Sequence, residues 1–227
     1  MNYAEHVPRP IDPQRHQARR LEIIDAGLTA FAEHGYAGAT TAIICRIAGI
    51  GSGTFFHYFP TKDALLVAIL EHNTVETREF FEQQADPDDP RRLVLGYVEH
   101  AAAGLLDPRA AGFISVVGGL THRPEIALAL RADDETARTA LQAAVRAAQQ
   151  VRRVRGDVTA ERLAEWILLL LDGFAARVVT SDGFVAEQEV DMLNEQAALL
   201  LDGPRASEDR RLAPARRADH GSAPISL

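Results

Sequence analysis

From Gln14 onward, apolar side chains return at every third or fourth position, the period of a helix buried along one face. Leu21, Ile24, Leu28 and Phe31 make the first stripe. Gly35 ends it, at a C-terminal position where a left-handed residue costs least. Thr40 or Thr41 then caps a short helix whose expected buried edge is Ile44, Ile47 and Ala48, with Gly49 closing it. Ile50 plugs the turn. Gly51 or Ser52 opens a second short helix that points Phe55 and Phe59 inward at a spacing of four, and Pro60-Thr61 stops it. Thr61 caps a long helix through Ala64, Leu65, Ala68 and Ile69 to about Phe81, and no alternating β-branched run interrupts the series.

Asp86-Pro87-Asp88-Asp89-Pro90 is a break built from turn residues. Beyond it the pattern predicts helices around 91–105, 109–119, 124–154, 158–180 and 185–202, the third of them rich in alanine and other strong helix formers. Residues 1–13 hold Pro8, Pro10 and Pro13 without an apolar period and read as a flexible arm. Residues 203–227 are polar and rich in Pro, Arg and Ser, the composition of a disordered tail. The expected class is all-α: a three-helix unit over 14–62 and a larger helical domain over 63–202.

The apolar run Trp166–Leu171 covers every side of a helix. One side can pack on its own domain, and the opposite side needs another surface. Val190, Leu193, Ala197, Leu200 and Leu201 form a second stripe on the last helix. Two such helices from each of two copies make a four-helix interface, so a homodimer through the last two helices is expected.

The formal net charge of -8 argues at first against a polyanionic partner, but the charge is uneven. Residues 1–62 carry six Lys/Arg against five Asp/Glu, so the acidity lies beyond them. Cys45 is the only cysteine, which excludes an intrachain disulfide and a Cys-based metal site. It reads as a small core hydrophobe. No signal-peptide pattern opens the chain, and stretches such as Phe113–Val117 are too short to cross a bilayer, so a cytoplasmic location without membrane contact is expected. The eight histidines form no His-x-x-x-His pair, and Ser115 lies outside a Gly-x-Ser-x-Gly elbow. Gly49-Ile50-Gly51-Ser52-Gly53 lacks the preceding strand of a dinucleotide loop. No catalytic centre, metal or cofactor is expected.

Helix, glycine turn, helix is the order of a helix-turn-helix, in which one helix braces on the DNA backbone and the next enters the major groove. Double-stranded DNA is therefore the expected partner. Gly53 lets backbone approach a base or phosphate closely. Ser52 and Thr54 offer hydroxyls where helix amides favour an anion. His57 and Tyr58 reach backbone oxygens beside the groove, Phe56 rests on sugar, and Arg46 faces solvent or a phosphate. Lys62, the one lysine in the chain, falls in the first turn of a helix. The dipole disfavours it there by roughly a few tenths of a kcal/mol, and a phosphate partner accounts for the placement.

From Arg20 to Leu70 the residues resemble the TetR family of bacterial transcription regulators. The resemblance is carried by Ile24-Asp25-Ala26, Phe31-Ala32-Glu33-His34-Gly35-Tyr36, Thr40-Thr41, Ile44, Ala48-Gly49-Ile50, Gly53-Thr54, His57-Tyr58-Phe59-Pro60 and Lys62-Asp63-Ala64-Leu65. It implies that Thr40, Thr41, Arg46, Ser52, Gly53, Thr54, Phe56, His57, Tyr58 and Lys62 form the DNA-binding surface. It also implies a C-terminal domain that binds a small-molecule effector and dimerises, most often in a repressor released from a palindromic operator. Candidate effector contacts are Tyr97, His100, Phe113, His122, Trp166, Phe174 and Arg177, the last as a partner for an anionic effector or as a solvated arginine at a helix end. Gly51-Ser52 stands where the family often has Ser-Lys, and Phe56 where it often has tyrosine, which removes phosphate contacts. An effector-binding protein with weakened DNA binding, an activator of the same fold and a small helical enzyme are the other classes left open.

Overall fold

Asp12 starts the first helix by accepting hydrogen bonds from the Gln14 and Arg15 amides at 3.1 and 3.4 Å, with Pro13 preset for the first helical position. This helix, α1 (Pro13–Gly38), leaves helical geometry at Gly35, where φ 66° and ψ 174° are closed to side chains with a Cβ. The computed structural model describes residues 12–86, 88–181 and 183–203. The expected arm and tail lie outside these residues, apart from Asp12 and Pro13, which begin α1, and Gly203, which follows the last helix.

Next come α2 (Thr41–Ala48), α3 (Ser52–Tyr58), α4 (Lys62–Gln83), α5 (Pro90–Leu105), α6 (Ala110–Gly118), α7 (Pro124–Gln150), α8 (Ala160–Thr180) and α9 (Ala186–Asp202). Among the described residues there is no strand, and no helix is long and apolar enough to cross a membrane. Side-chain caps start several helices where the sequence placed them. Thr40 accepts from the Ile43 amide at 3.3 Å, and Thr61 from Ala64 at 3.0 Å.

Two apolar cores organise the chain. One joins Ile23, Phe31, Ile44, Phe55 and Phe59 to Leu65, Leu66 and Ile69 on α4, and continues to Val117 on α6 and Ile126 on α7. The other is a bundle of α5, α7, α8 and α9 built on Val94, Leu141, Leu163, Ile167, Ala197 and Leu201. Both cores use α4: Leu65–Leu70 belongs to the first, while Phe80 and Phe81 rest on the second. Backbone contact ties α6 to α1. A Cβ on Gly112 would stand 2.4 Å from the Ala32 carbonyl oxygen, so only glycine allows this approach.

Three expectations change. Ile47 is exposed, because α2 turns Ile44 and Cys45 to the core. The helix expected to reach residue 154 stops at Gln150. Arg152 takes a left-handed φ of 59°, Val154 packs into the bundle, and the Arg155 amide bonds the Leu201 carbonyl at 2.9 Å. The α9 stripe of Leu193, Ala197 and Leu201 is buried inside its own bundle. The large apolar side chains that α8 and α9 leave exposed are Trp166, Leu169, Met192 and Leu199.

Candidate nucleic-acid interface and the cavity behind it

Between α2 and α3 the chain turns at Gly49, whose left-handed backbone (φ 63°, ψ 35°) lets the Ile50 amide bond the Cys45 carbonyl at 3.0 Å. Ile50 packs against the head core as the turn's apolar plug. Phe55 and Phe59 are sealed at 0 and 2% exposure and fix the inner face of α3. Burial of each ring contributes roughly 1.5–3 kcal/mol. The outer face is then decided by helical geometry. Ser52, Gly53, Thr54, Phe56 and His57 all lie on the surface, Phe56 at 55% exposure, and Thr40 and Arg46 extend that surface along α2. Thr41 and Tyr58 are half-buried.

A Cβ on Gly53 would meet no atom within 4 Å, so internal packing does not require glycine there. Open space over the first turn of α3 is what a duplex needs to approach the backbone. The tertiary structure adds two residues that the pattern did not single out. His16 on α1 rests on Tyr58 with ring centroids 4.5 Å apart and on His57 at 5.9 Å. Arg20 lies over the Phe59 ring at 5.4 Å. Neither could be found from the helix-turn-helix segment alone, because α1 reaches it only in three dimensions.

Lys62 has an internal role. Its ammonium donates to the Tyr36 carbonyl at 2.7 Å and sits 4.1 Å from the centre of the Tyr36 ring. Arg123, in the α6–α7 turn, covers the same ring at 4.5 Å. Arg123 donates to the Tyr36 hydroxyl at 2.7 Å and to Asp63 Oδ2 at 3.0 Å, while the Tyr36 hydroxyl donates to Asp63 Oδ1. Burial, followed by the hydrogen bond to Asp63, raises the Tyr36 phenol above its ordinary value and keeps it a neutral donor. One cluster thus joins the end of α1, the start of α4 and the turn after α6. At the other end of α6, Arg109 donates to Asp25 at 2.8 Å and Thr29 at 2.9 Å on α1, and to Asp107 at 2.7 Å.

Behind the head lies a cavity of about 760 Å³, walled by α1, α4, α5, α6, α7 and α8. Of the residues named from sequence as effector contacts, Tyr97, His100 and Phe113 line it. The other four lie elsewhere. His122 is exposed on the α6–α7 turn, and Trp166 is half-exposed on the outer face of α8. Phe174 is buried in the bundle against Phe184, and Arg177 bonds Ser181 over the same ring, so no arginine at that position meets an anion in the cavity. Asp133 and Asp172 line the wall instead. In the sequence they read as solvated charges on amphipathic helices.

Residues 23–69 match the family described as bacterial regulatory proteins, tetR family, and residues 90–202 match that of the BetI-type transcriptional repressor, C-terminal. The chain is 31% identical over 175 residues to the HTH-type transcriptional repressor Rv1474c of Mycobacterium tuberculosis, covering 73% of this chain and 84% of that protein. It is 30% identical over 171 residues to the HTH-type transcriptional repressor AcnR of Corynebacterium efficiens, covering 71% and 82%. In fold it is similar to a TetR transcription regulator from Haloarcula marismortui, with a TM-score of 0.71 at 22% identity over 82% of this chain and 97% of the other.

Proposed function

Because the chain belongs to the tetR family of bacterial regulatory proteins and is a DNA-binding transcriptional regulator, we propose that it represses from a palindromic operator until a small-molecule effector releases it. The observation that carries this is the outer face of α3: Ser52, Gly53, Thr54, Phe56 and His57 stand in solvent on a helix anchored from beneath by Phe55 and Phe59. We assign base and sugar contact to that face. Phosphate contact goes to Thr40, Thr41, Arg46 and Tyr58, with Lys62 contributing from a half-buried position.

Two copies join through the exposed faces of α8 and α9, centred on Trp166, Leu169, Met192 and Leu199. Burying them removes apolar surface from water and sets the two α3 helices a helical turn of DNA apart, ~34–36 Å, or a multiple of it. The effector occupies the cavity, and α6 transmits its presence. Phe113 and Val117 on α6 face the cavity, while Gly112 touches the α1 backbone and Arg109 and Arg123 hold α6 to the head at its two ends. An effector that moves α6 therefore moves the head. By linkage, the factor by which effector weakens DNA binding is the factor by which DNA weakens effector binding.

Mapping bound DNA across the genome tests the proposal. Enrichment of a palindrome upstream of regulated genes, with transcription rising when the gene is deleted, is the expected result. A folded, dimeric protein that enriches no site, or whose deletion lowers transcription from the bound promoters, rejects repression. Replacing Trp166 and Leu169 together by glutamate is expected to give monomers by sedimentation and to weaken operator binding strongly.

A further inference from the structure

We propose that the cavity behind the head takes an apolar organic cation, held between aromatic and aliphatic walls with its charge facing Asp133 and Asp172. This rests on assigning the cavity as the effector site. The wall offers Phe113, Tyr97 and His100 beside aliphatic side chains, suited to a hydrophobic body and to cation–π contact. Its charges without an ion-pair partner are acidic. Asp133 Oδ2 accepts from Asn73 at 2.9 Å, but Oδ1 is buried without a hydrogen-bond partner among the described residues. Asp172 lines the open side of the cavity and makes no ion pair among them. Glu76 and Asp134 add further negative charge.

The cations nearby are already engaged. Arg109 on the wall is held by Asp107 and Asp25, and Arg138, close to Asp172, is held by Asp134 and Glu165. An anionic ligand would find no free guanidinium here and would face two carboxylates. Burial raises the Asp133 carboxyl above its usual range, partly offset by the neighbouring Thr74 hydroxyl and Asn73 amide. The carboxyl of Asp172 is raised by its partial enclosure and then by the charge of Asp134. Tyr97 is pushed up to about 12, first by burial and then by Asp133, so it stays a neutral phenol. Asp133 and Asp172, neither of them held in an ion pair, are what a cation relieves.

Two probes of matched shape and opposite charge test this: tetraphenylphosphonium and tetraphenylborate, titrated calorimetrically into the full-length protein in sodium buffer. The phosphonium is expected to bind at one site per chain at least tenfold more tightly than the borate. Asp172→Asn, at a position exposed enough to leave folding intact, should weaken the phosphonium several-fold and narrow the ratio. Asp133→Asn should do the same, with circular dichroism confirming that it folds. Equal or tighter binding of the borate, no binding of either ion, or an unchanged ratio in a folded variant overturns the proposal. Operator release is scored separately by gel shift. Selective phosphonium binding without release supports the ligand class while removing the assignment of the cavity as effector site.

Discussion

In the head, the candidate contacts fall on nearly consecutive residues between Thr40 and Lys62, whereas the cavity draws its wall from six helices, with Leu28 and Ala175 at its sequence extremes. The head's candidate surface is solvent-exposed, and what lies beneath it is decided locally: one side of α3 buries Phe55 and, just past its end, Phe59, while Phe56, the next residue round the helix, is exposed. The cavity is concave, and each side chain in it owes its position to a neighbour far away in sequence. The first kind of site can be altered without disturbing the fold. In the second, much of the apolar wall, such as Tyr97 and Val117, is also core.

The sharpest way to break this contrast is a pair of substitutions at adjacent positions. Phe55→Ala removes a sealed ring and should cost about 3–5 kcal/mol of stability in chemical denaturation. Phe56→Ala should change stability by no more than about 0.5 kcal/mol, while lowering operator affinity. Comparable losses of stability would show that the outer face of α3 is not free surface.

Gly53→Glu comes next. It places a carboxylate at the front of α3, where a Cβ meets nothing and an acid suits the helix start. The melting temperature should hold or rise. Operator affinity measured by fluorescence anisotropy should fall about a hundredfold, or ~2.7 kcal/mol. Gly112→Ala probes the joint between the regions. Its Cβ would press on the Ala32 carbonyl, so a loss of roughly 1–3 kcal/mol is expected, together with a smaller ratio of operator affinities with and without effector. An intact ratio would place the coupling elsewhere than α6.

The smallest effect is a pH dependence confined to the cavity. The folded Asp133 titrates above its ordinary 3.8, so folding favours the protonated form. That contribution is present below pH 3.8 and lost as pH rises through the raised value. Asp133→Asn should therefore gain on the parent protein between pH 4 and pH 7, by about 2 °C in melting temperature, and the difference should shrink when a cation is bound. A difference that is flat across this range would deny the burial of that carboxyl.

Helical period, caps and glycine breaks were sufficient to read the elements and the outer surface of the head, because both depend on residues within one or two turns of each other. Thr40 and Thr61 cap the helices that follow them. Phe55 and Phe59 are core because they lie four apart, one on α3 and one at its C-terminal end, and so point to the same side. The same rules failed at Ile47, where periodicity names an apolar face but not whether a partner covers it. Lys62 shows the limit from the other side. Its sequence position invites a phosphate, and folding brings the Tyr36 carbonyl and ring to it first.

The order of apolar and capping residues thus determined nine helices among the described residues, the glycine turn between α2 and α3 and the outward face of α3. Tertiary packing alone decided that Asp133 and Asp172 line a cavity, that Arg109 and Arg123 pin both ends of α6 to the head, and that Phe174 is core instead of wall. The physical reason is range. Hydrogen bonding and helical period act over a few residues, whereas burial and charge depend on every element that happens to pack alongside.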